Sequence, residues 1–195
     1  IEPRPVKKRK ADKKDVKEEL PVRALDPALA VGGEQSEIPL RIAPYVFETT
    51  AEGTVRVLVA IEVGTEPLAF KGTGGQRTAQ IDVSVLGVSR DLPKMAPLDS
   101  HVDLSLDAKV VGGWWTFTRE FHLPPGPAQI RALVRDTVSG RSGLVARRVE
   151  IPRPEAPYLS TLLLGNRLQV SAPGSRPKIV PVAHRRFPPR GSLYC

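Results

Sequence analysis

The stretch FHLPPGPAQIRALVRDTVSGRSG, residues 121–143, holds the side chains that come nearest in sequence to a hydrolytic set: His122, Asp136 and Ser139 or Ser142. Acyl transfer needs a serine nucleophile, a histidine base bonded to it, and an acid that orients the base. The residue types are present, but their order alone does not establish that geometry. GVSRD at 87–91 has Asp91 where a serine-hydrolase elbow requires its second glycine, which makes Ser89 a poor nucleophile. KGTGGQR at 71–77 lacks the spacing and trailing Lys-Ser/Thr of a phosphate loop, and it leads into a strand pattern where a phosphate cradle would open a helix. It reads as a strand connection. His101, His122 and His184 lie far apart and make no HExxH or other close ligand pattern, so each reads as a surface or locally hydrogen-bonded residue. No catalytic residue, metal or cofactor is expected.

Trp114 and Trp115 are adjacent, and adjacent strand residues face opposite sides. Trp115 shares its phase with Phe117 and is expected inside. Trp114 is then the outward indole, available for packing between sheets or domains, or for stacking on a glycan or other small ligand beside the loops at 71–77 and 123–127. Leu162, Leu163 and Leu164 in YLSTLLLG are the other candidate contacts: they could cover an open sheet edge or meet a neighbouring domain.

Something must position these side chains, and the pattern that recurs is a period of two. Val55, Val57, Val59, Ile61 and Val63 point one way, with Arg56 and Glu62 on the face expected to meet water. The period returns in Ile81, Val83 and Val85, in Val102, Leu104 and Leu106, in Trp115, Phe117 and Phe121, in Ile130, Ala132 and Val134, and in Val145, Val149 and Ile151. Residues 38–47 form a further candidate strand whose Pro44 argues for an edge or a bulge. Arg119 and Arg147 fall in the inward phase. Either their aliphatic stems cover apolar surface while the guanidinium reaches out, or a bulge shifts the register.

Between these segments, Pro124, Pro125 and Pro127 are expected to restrict a loop and keep it out of a ladder, while Gly126 and Gly140 supply dihedrals other residues avoid. Strand joining therefore explains residues 121–143 without catalysis. LDPALA predicts one short helical turn, with Asp26 as its cap and Pro27 in first position. The fold class expected is all-β: an antiparallel, immunoglobulin/fibronectin-like sandwich with irregular extensions. Its organisation is a charged linker and helical turn at 1–37, the sandwich at 38–151, and an extension with the start of a following β unit at 152–195.

The net charge of +8 in 195 residues resembles a nucleic-acid signal only until it is mapped. Residues 1–18 carry eight Lys/Arg against four acids and residues 172–195 carry five against none, which leaves the middle of the chain close to neutral. KKRK at Lys7–Lys10 has the composition of a targeting or polyanion-contacting patch, but the acids interleaved in ADKKDVKEEL favour a solvated linker. No specific nucleic-acid partner is expected. No apolar run reaches the length of a membrane span. Cys195, the single cysteine, permits no internal disulfide. The chain is expected to continue beyond Cys195 and to have lost whatever preceded Ile1.

REFHLPPGPAQIRALVRDTVSGRSGLVARRVEIP, then YLSTLLLG, then RRFPPRGSLYC, resemble in that order the region after the von Willebrand factor A domain of bacterial VWFA-related proteins, over residues 38–195. The resemblance implies a secreted or envelope-associated protein, periplasmic or extracellular, and a β-sandwich accessory region with no enzymatic activity attached. The metal site of an A domain uses an Asp-x-Ser-x-Ser loop. DVSVL offers Asp82 and Ser84 but has Leu86 third, inside a strand, so that function is not carried over. The reading is a noncatalytic interaction or spacer module whose partners are neighbouring domains of the same polypeptide or a separate protein. The alternatives are a glycan or small-ligand module built on Trp114 and, last, a serine hydrolase.

Overall fold

The recurring two-residue period of β-branched and aromatic side chains leaves these segments little choice but to pair as strands. The computed structural model describes residues 27–31, 35–89, 97–153, 159–170, 177–184, 187 and 193–194. Helix α1 (Pro27–Val31) is followed by β1 (Gln35–Ser36), β2 (Leu40–Thr49), β3 (Val55–Gly64), β4 (Gln76–Ser89), β5 (Leu98–Asp107), β6 (Trp114–Leu123), β7 (Gly126–Asp136), β8 (Ser142–Ile151), β9 (Gly165–Gln169) and β10 (Lys178–Pro181). They form a five-stranded sheet, β1-β8-β7-β4-β5, a three-stranded sheet, β2-β3-β6, and a two-stranded ribbon, β10-β9, all antiparallel.

The two larger sheets supply one core. Val55, Val57, Val59, Ile61 and Val63 are fully buried against Ile81, Val83, Val85, Ile130, Ala132 and Val134, with Leu104 and Phe121 beside them and Trp115, Phe117 and Val149 at the margin. Trp115 and Phe117 stack with ring centroids 5.1 Å apart. Removal of this much apolar surface from water is the main stabilising contribution.

The outer faces have smaller clusters of their own. On the five-stranded sheet, Leu29 of α1 packs on Leu133 and Leu144, and its carbonyl accepts from Arg131 at 2.5 Å. Pro27 opens the helix as expected; Asp26 lies outside the described residues, as do Lys7–Lys10, Asp91 and Cys195. On the three-stranded sheet, Ala43, Tyr45 and Ala60 are covered by Leu163 and Ala183 from the later part of the chain.

Several local expectations need correction or refinement. Pro44 does sit on an edge strand, and the β2–β3 register shifts between Val46 and Thr49. Pro127, expected outside any ladder, pairs with Glu150 within β7–β8, and among the described residues it has a strand neighbour on that side only, since β4 pairs as far as Ser89 opposite Ala128. Pro124 and Pro125 do more than separate neighbouring strands: β6 and β7 belong to different sheets, so this corner carries the chain across the core. Gly126 and Gly140 have φ of 113° and 74°. Neither Arg119 nor Arg147 shifts a register, since β3–β6 and β7–β8 pair without interruption. Arg147 stays exposed where β8 has run beyond the two residues that β1 covers. Glu62, expected in water, is 1% exposed.

Candidate functional site

The side chains that suggested hydrolysis serve three different local structures. His122 lies on the outer face of β6, exposed, with Nε2 3.6 Å from Glu120. Asp136, at the end of β7, accepts backbone N–H bonds from Ala69 at 2.5 Å, Val138 at 2.8 Å and Ser139 at 3.0 Å. Burial works to raise its pKa, but these donors together overcome that and hold the carboxyl below its ordinary value. Ser139 and Gly140 are exposed in the β7–β8 hairpin, whereas Ser142 is buried at the start of β8. Ser89 is buried in β4. His101 bonds Asp82 through Nδ1 at 2.8 Å, and that hydrogen bond raises its pKa. Gly72 and Gly74 lie in the connection closed by the Lys71–Thr78 bridge. Among the described residues, no three His, Cys, Asp or Glu gather as a metal site, and no helix is long and apolar enough to cross a membrane.

The outer face of β2-β3-β6 has the denser chemistry. Alternation brings Arg41, Ala43, Tyr45 and Phe47 of β2, Arg56, Leu58, Ala60 and Glu62 of β3, and Trp114, Thr116, Thr118 and Glu120 of β6 to this side. Residues 159–170 and 177–184 lie across it as a strap. Thr161 pairs with the bulged edge of β2: its N–H donates to the Val46 carbonyl at 2.8 Å and its hydroxyl accepts from the Val46 N–H at 3.1 Å. Tyr45 donates its hydroxyl to the Val182 carbonyl at 2.6 Å. His184 Nδ1 meets Glu62 Oε1 at 2.7 Å. The second oxygen, Oε2, has no hydrogen-bond partner among the described residues and stands 3.8 Å from Arg41. Arg41 lies over the Trp114 ring at 3.7 Å from its centroid. One face of this half-exposed indole is therefore taken by the protein's own cation.

Of the three leucines singled out by sequence, Leu163 packs on the Tyr45 cluster, the Leu164 carbonyl accepts from Val182 at 3.1 Å, and Leu162 is 63% exposed. The strap thus covers the β2 edge and the sheet face together. Sequence reasoning left Arg41 unnamed, gave Glu62 only as a residue facing water, and gave His184 only as a surface or locally hydrogen-bonded residue. The signal was the small Ala60 beside Glu62 on a face assigned to water, since an alanine pair with a tyrosine invites a covering layer.

Within the strap, β9 and β10 stand over β3 and β6 and border a groove of about 860 Å³, with Arg56, Thr118, Arg119, Glu120, Arg167 and Lys178 among its lining residues. Arg56 is neutralised by Glu48 at 2.7 Å and Glu120 at 3.2 Å, and the bond to Glu48 raises the arginine's pKa and lowers that of Glu48.

Replacing Tyr45 by Phe should remove the phenol bond that pins the strap while keeping the ring in its cluster. The expected loss is about 1 kcal/mol in denaturant unfolding, with faster amide exchange around Val182. Unchanged exchange there would mean that the Tyr45 hydroxyl does not hold the strap.

No family model matches the chain, and no curated protein matches it. Among solved structures it is similar to the Northeast Structural Genomics Consortium target SoR45, at 8% identity and a TM-score of 0.40, over 64% of this chain and 93% of that one. It is also similar to a β-glucosidase from Listeria innocua, in structures with glucose and with isofagomine, at 15% identity and TM-scores of 0.30 and 0.28. In both, 61% of this chain matches 16% of the β-glucosidase.

Proposed function

We propose that this chain is a noncatalytic interaction and spacer module of a larger bacterial extracytoplasmic protein, built on an immunoglobulin/fibronectin-like sandwich and akin to the accessory region of VWFA-related proteins. The strand order supports the fold assignment. With β2 to β8 taken as A to G, the sheets read A-B-E and G-F-C-D, the arrangement of a constant-type immunoglobulin domain with its fourth strand moved beside C.

The observation that carries the functional reading is the strap. Thr161, Tyr45 and Glu62 hold residues 159–170 and 177–184 against the outer face of β2-β3-β6. Chain leaving the sandwich after Ile151 is thereby brought back and fixed at a set position, which is what a module must do to orient whatever follows it. Leu162 and Leu168 remain exposed on this added layer, at 63% and 42%, and supply the apolar contact that a neighbouring unit would cover.

The test compares amide exchange and unfolding of this 195-residue chain with those of the longer polypeptide that contains it. Slower exchange in β9 and β10 in the longer polypeptide is the expected result. Identical exchange and stability in both would remove the docking proposal.

A further inference from the structure

A guanidinium withdrawn from water is ordinarily matched by a carboxylate, because an unpaired charge in a partly dry site is costly. Arg119 departs from this rule. It is half-buried, it donates to the Thr118 carbonyl at 2.8 Å and to the Ser100 hydroxyl of β5, and it lies 5.1 Å from the Phe117 ring. Among the described residues no acid stands within ion-pair distance of it. Burial lowers its pKa from the ordinary arginine value, yet an arginine stays charged under any physiological condition.

The backbone around Arg119 is also only half used. β6 pairs with β3 along one side, and among the described residues no strand pairs along the other. Five consecutive residues, Thr116 to Glu120, border the groove under β9 and β10. Successive strand residues face opposite sides, and Arg56 and Leu58 of β3 line the same groove, so it passes from the outer face of the sheet over the free edge of β6. The far wall carries Arg167 and Lys178, which have no carboxylate partner among the described residues.

We infer that the free edge of β6 receives an extended acidic peptide as an added strand, with one carboxylate on Arg119 and its neighbour facing Arg167 and Lys178. The inference rests on the interaction-module reading and names the chemistry of the partner. An edge strand offers N–H and C=O groups at a spacing that only another peptide matches, and carboxylates at adjacent positions of that peptide point to opposite faces, where the two sets of cations lie. An acidic polysaccharide would satisfy the charges but leave the ladder unmade.

The experiment titrates the whole chain with a short Thr/Val peptide carrying a central Glu-Glu pair, with the same peptide carrying Lys-Lys, and with polygalacturonate, and follows β6 amides by NMR and hydrogen exchange. The Glu-Glu peptide should bind and protect amides around Thr118, and Arg119→Gln should weaken it roughly tenfold or more. Arg119→Gln also alters the margin of the core, so the exposed Lys178→Glu is the second variant; it should weaken the same peptide while leaving thermal unfolding unchanged. Equal affinity for the two peptides, unprotected β6 amides, or full affinity in both variants would overturn the inference. Binding of polygalacturonate alone, without protection of β6, would also overturn it and assign the groove to an acidic glycan. None of these outcomes bears on exchange in β9 and β10 in the longer polypeptide, so the two readings fail separately.

Discussion

Asp136→Ala should be among the most damaging single substitutions in the chain, at a cost of about 3 kcal/mol in unfolding free energy. One carboxylate oxygen holds the N–H groups of Val138 and Ser139 and so shapes the β7–β8 hairpin; the other holds the N–H of Ala69, in the segment that carries the chain from β3 to β4. Alanine would leave three backbone donors without their acceptor at a site where the side chain is fully buried. Asp136→Asn separates charge from shape. Its amide has one oxygen, so it can serve either the hairpin or Ala69, and its NH2 would confront an N–H at the remaining place. The expected loss is intermediate.

Acid supplies an independent check. Because the folded carboxyl titrates below its unfolded value, its contribution is complete above the unfolded pKa and is lost as pH falls through the folded one. Denaturant midpoints of the native chain should therefore fall through the acidic range more steeply than those of Asp136→Asn. Parallel pH profiles for the two proteins would show that the carboxylate's charge is not what stabilises this corner.

Gly143→Ala is expected to cost about 3 kcal/mol, as much as a sizeable core truncation, although it adds one methyl to a strand. A Cβ there would fall on the carbonyl of Ile38, which is backbone and cannot rotate away. The segment it strikes is tightly placed: the Ile38 N–H donates to the Ser142 carbonyl at 3.2 Å, Glu37 accepts from the Ser142 N–H at 3.1 Å, and the Ile38 side chain is fully buried. Relief requires residues 35–39 to move off β8, which unpairs β1 and opens the core beside Ile38. Gly140→Ala is the informative companion. Its φ of 74° strains an alanine, but open space surrounds the added methyl, so a loss of about 1 kcal/mol is expected. Equal losses at both positions would refute the collision argument.

The inner faces were legible because one rule wrote them. Val55 to Val63, Ile81 to Val85 and Ile130 to Val134 place an apolar residue at every inward position, and each of these is fully buried. What alternation cannot reveal is who covers the opposite face. Glu62 was assigned to water because its phase is outward, and the phase was correct; the cover comes from a segment 122 residues later. Arg119 likewise kept its inward phase, and its chemistry comes from lying at the margin, where β6 and β5 are both edge strands and Ser100 is within reach. Asp136 was noticed for the wrong reason, as an acid near a histidine. A buried aspartate just before a Thr-Val-Ser-Gly turn has a nearer occupation, accepting from the N–H groups of that turn.

The strap also dictates a sequence of events during synthesis. The three-stranded sheet has all its strands once Leu123 has been made, and the five-stranded sheet once Ile151 has. At that stage the phenol of Tyr45 and the carboxylate of Glu62 still face solvent, because their partners Val182 and His184 lie 137 and 122 residues downstream of them. Contacts of that separation come after the local hairpins. The two nascent sheets must therefore persist for a time with the Ala43, Tyr45 and Ala60 cluster uncovered, and the later-made strap acts as their closing seam. The same seam is the natural place for a mature molecule to begin opening, since it can lift from the sheet without disturbing the core between the two larger sheets.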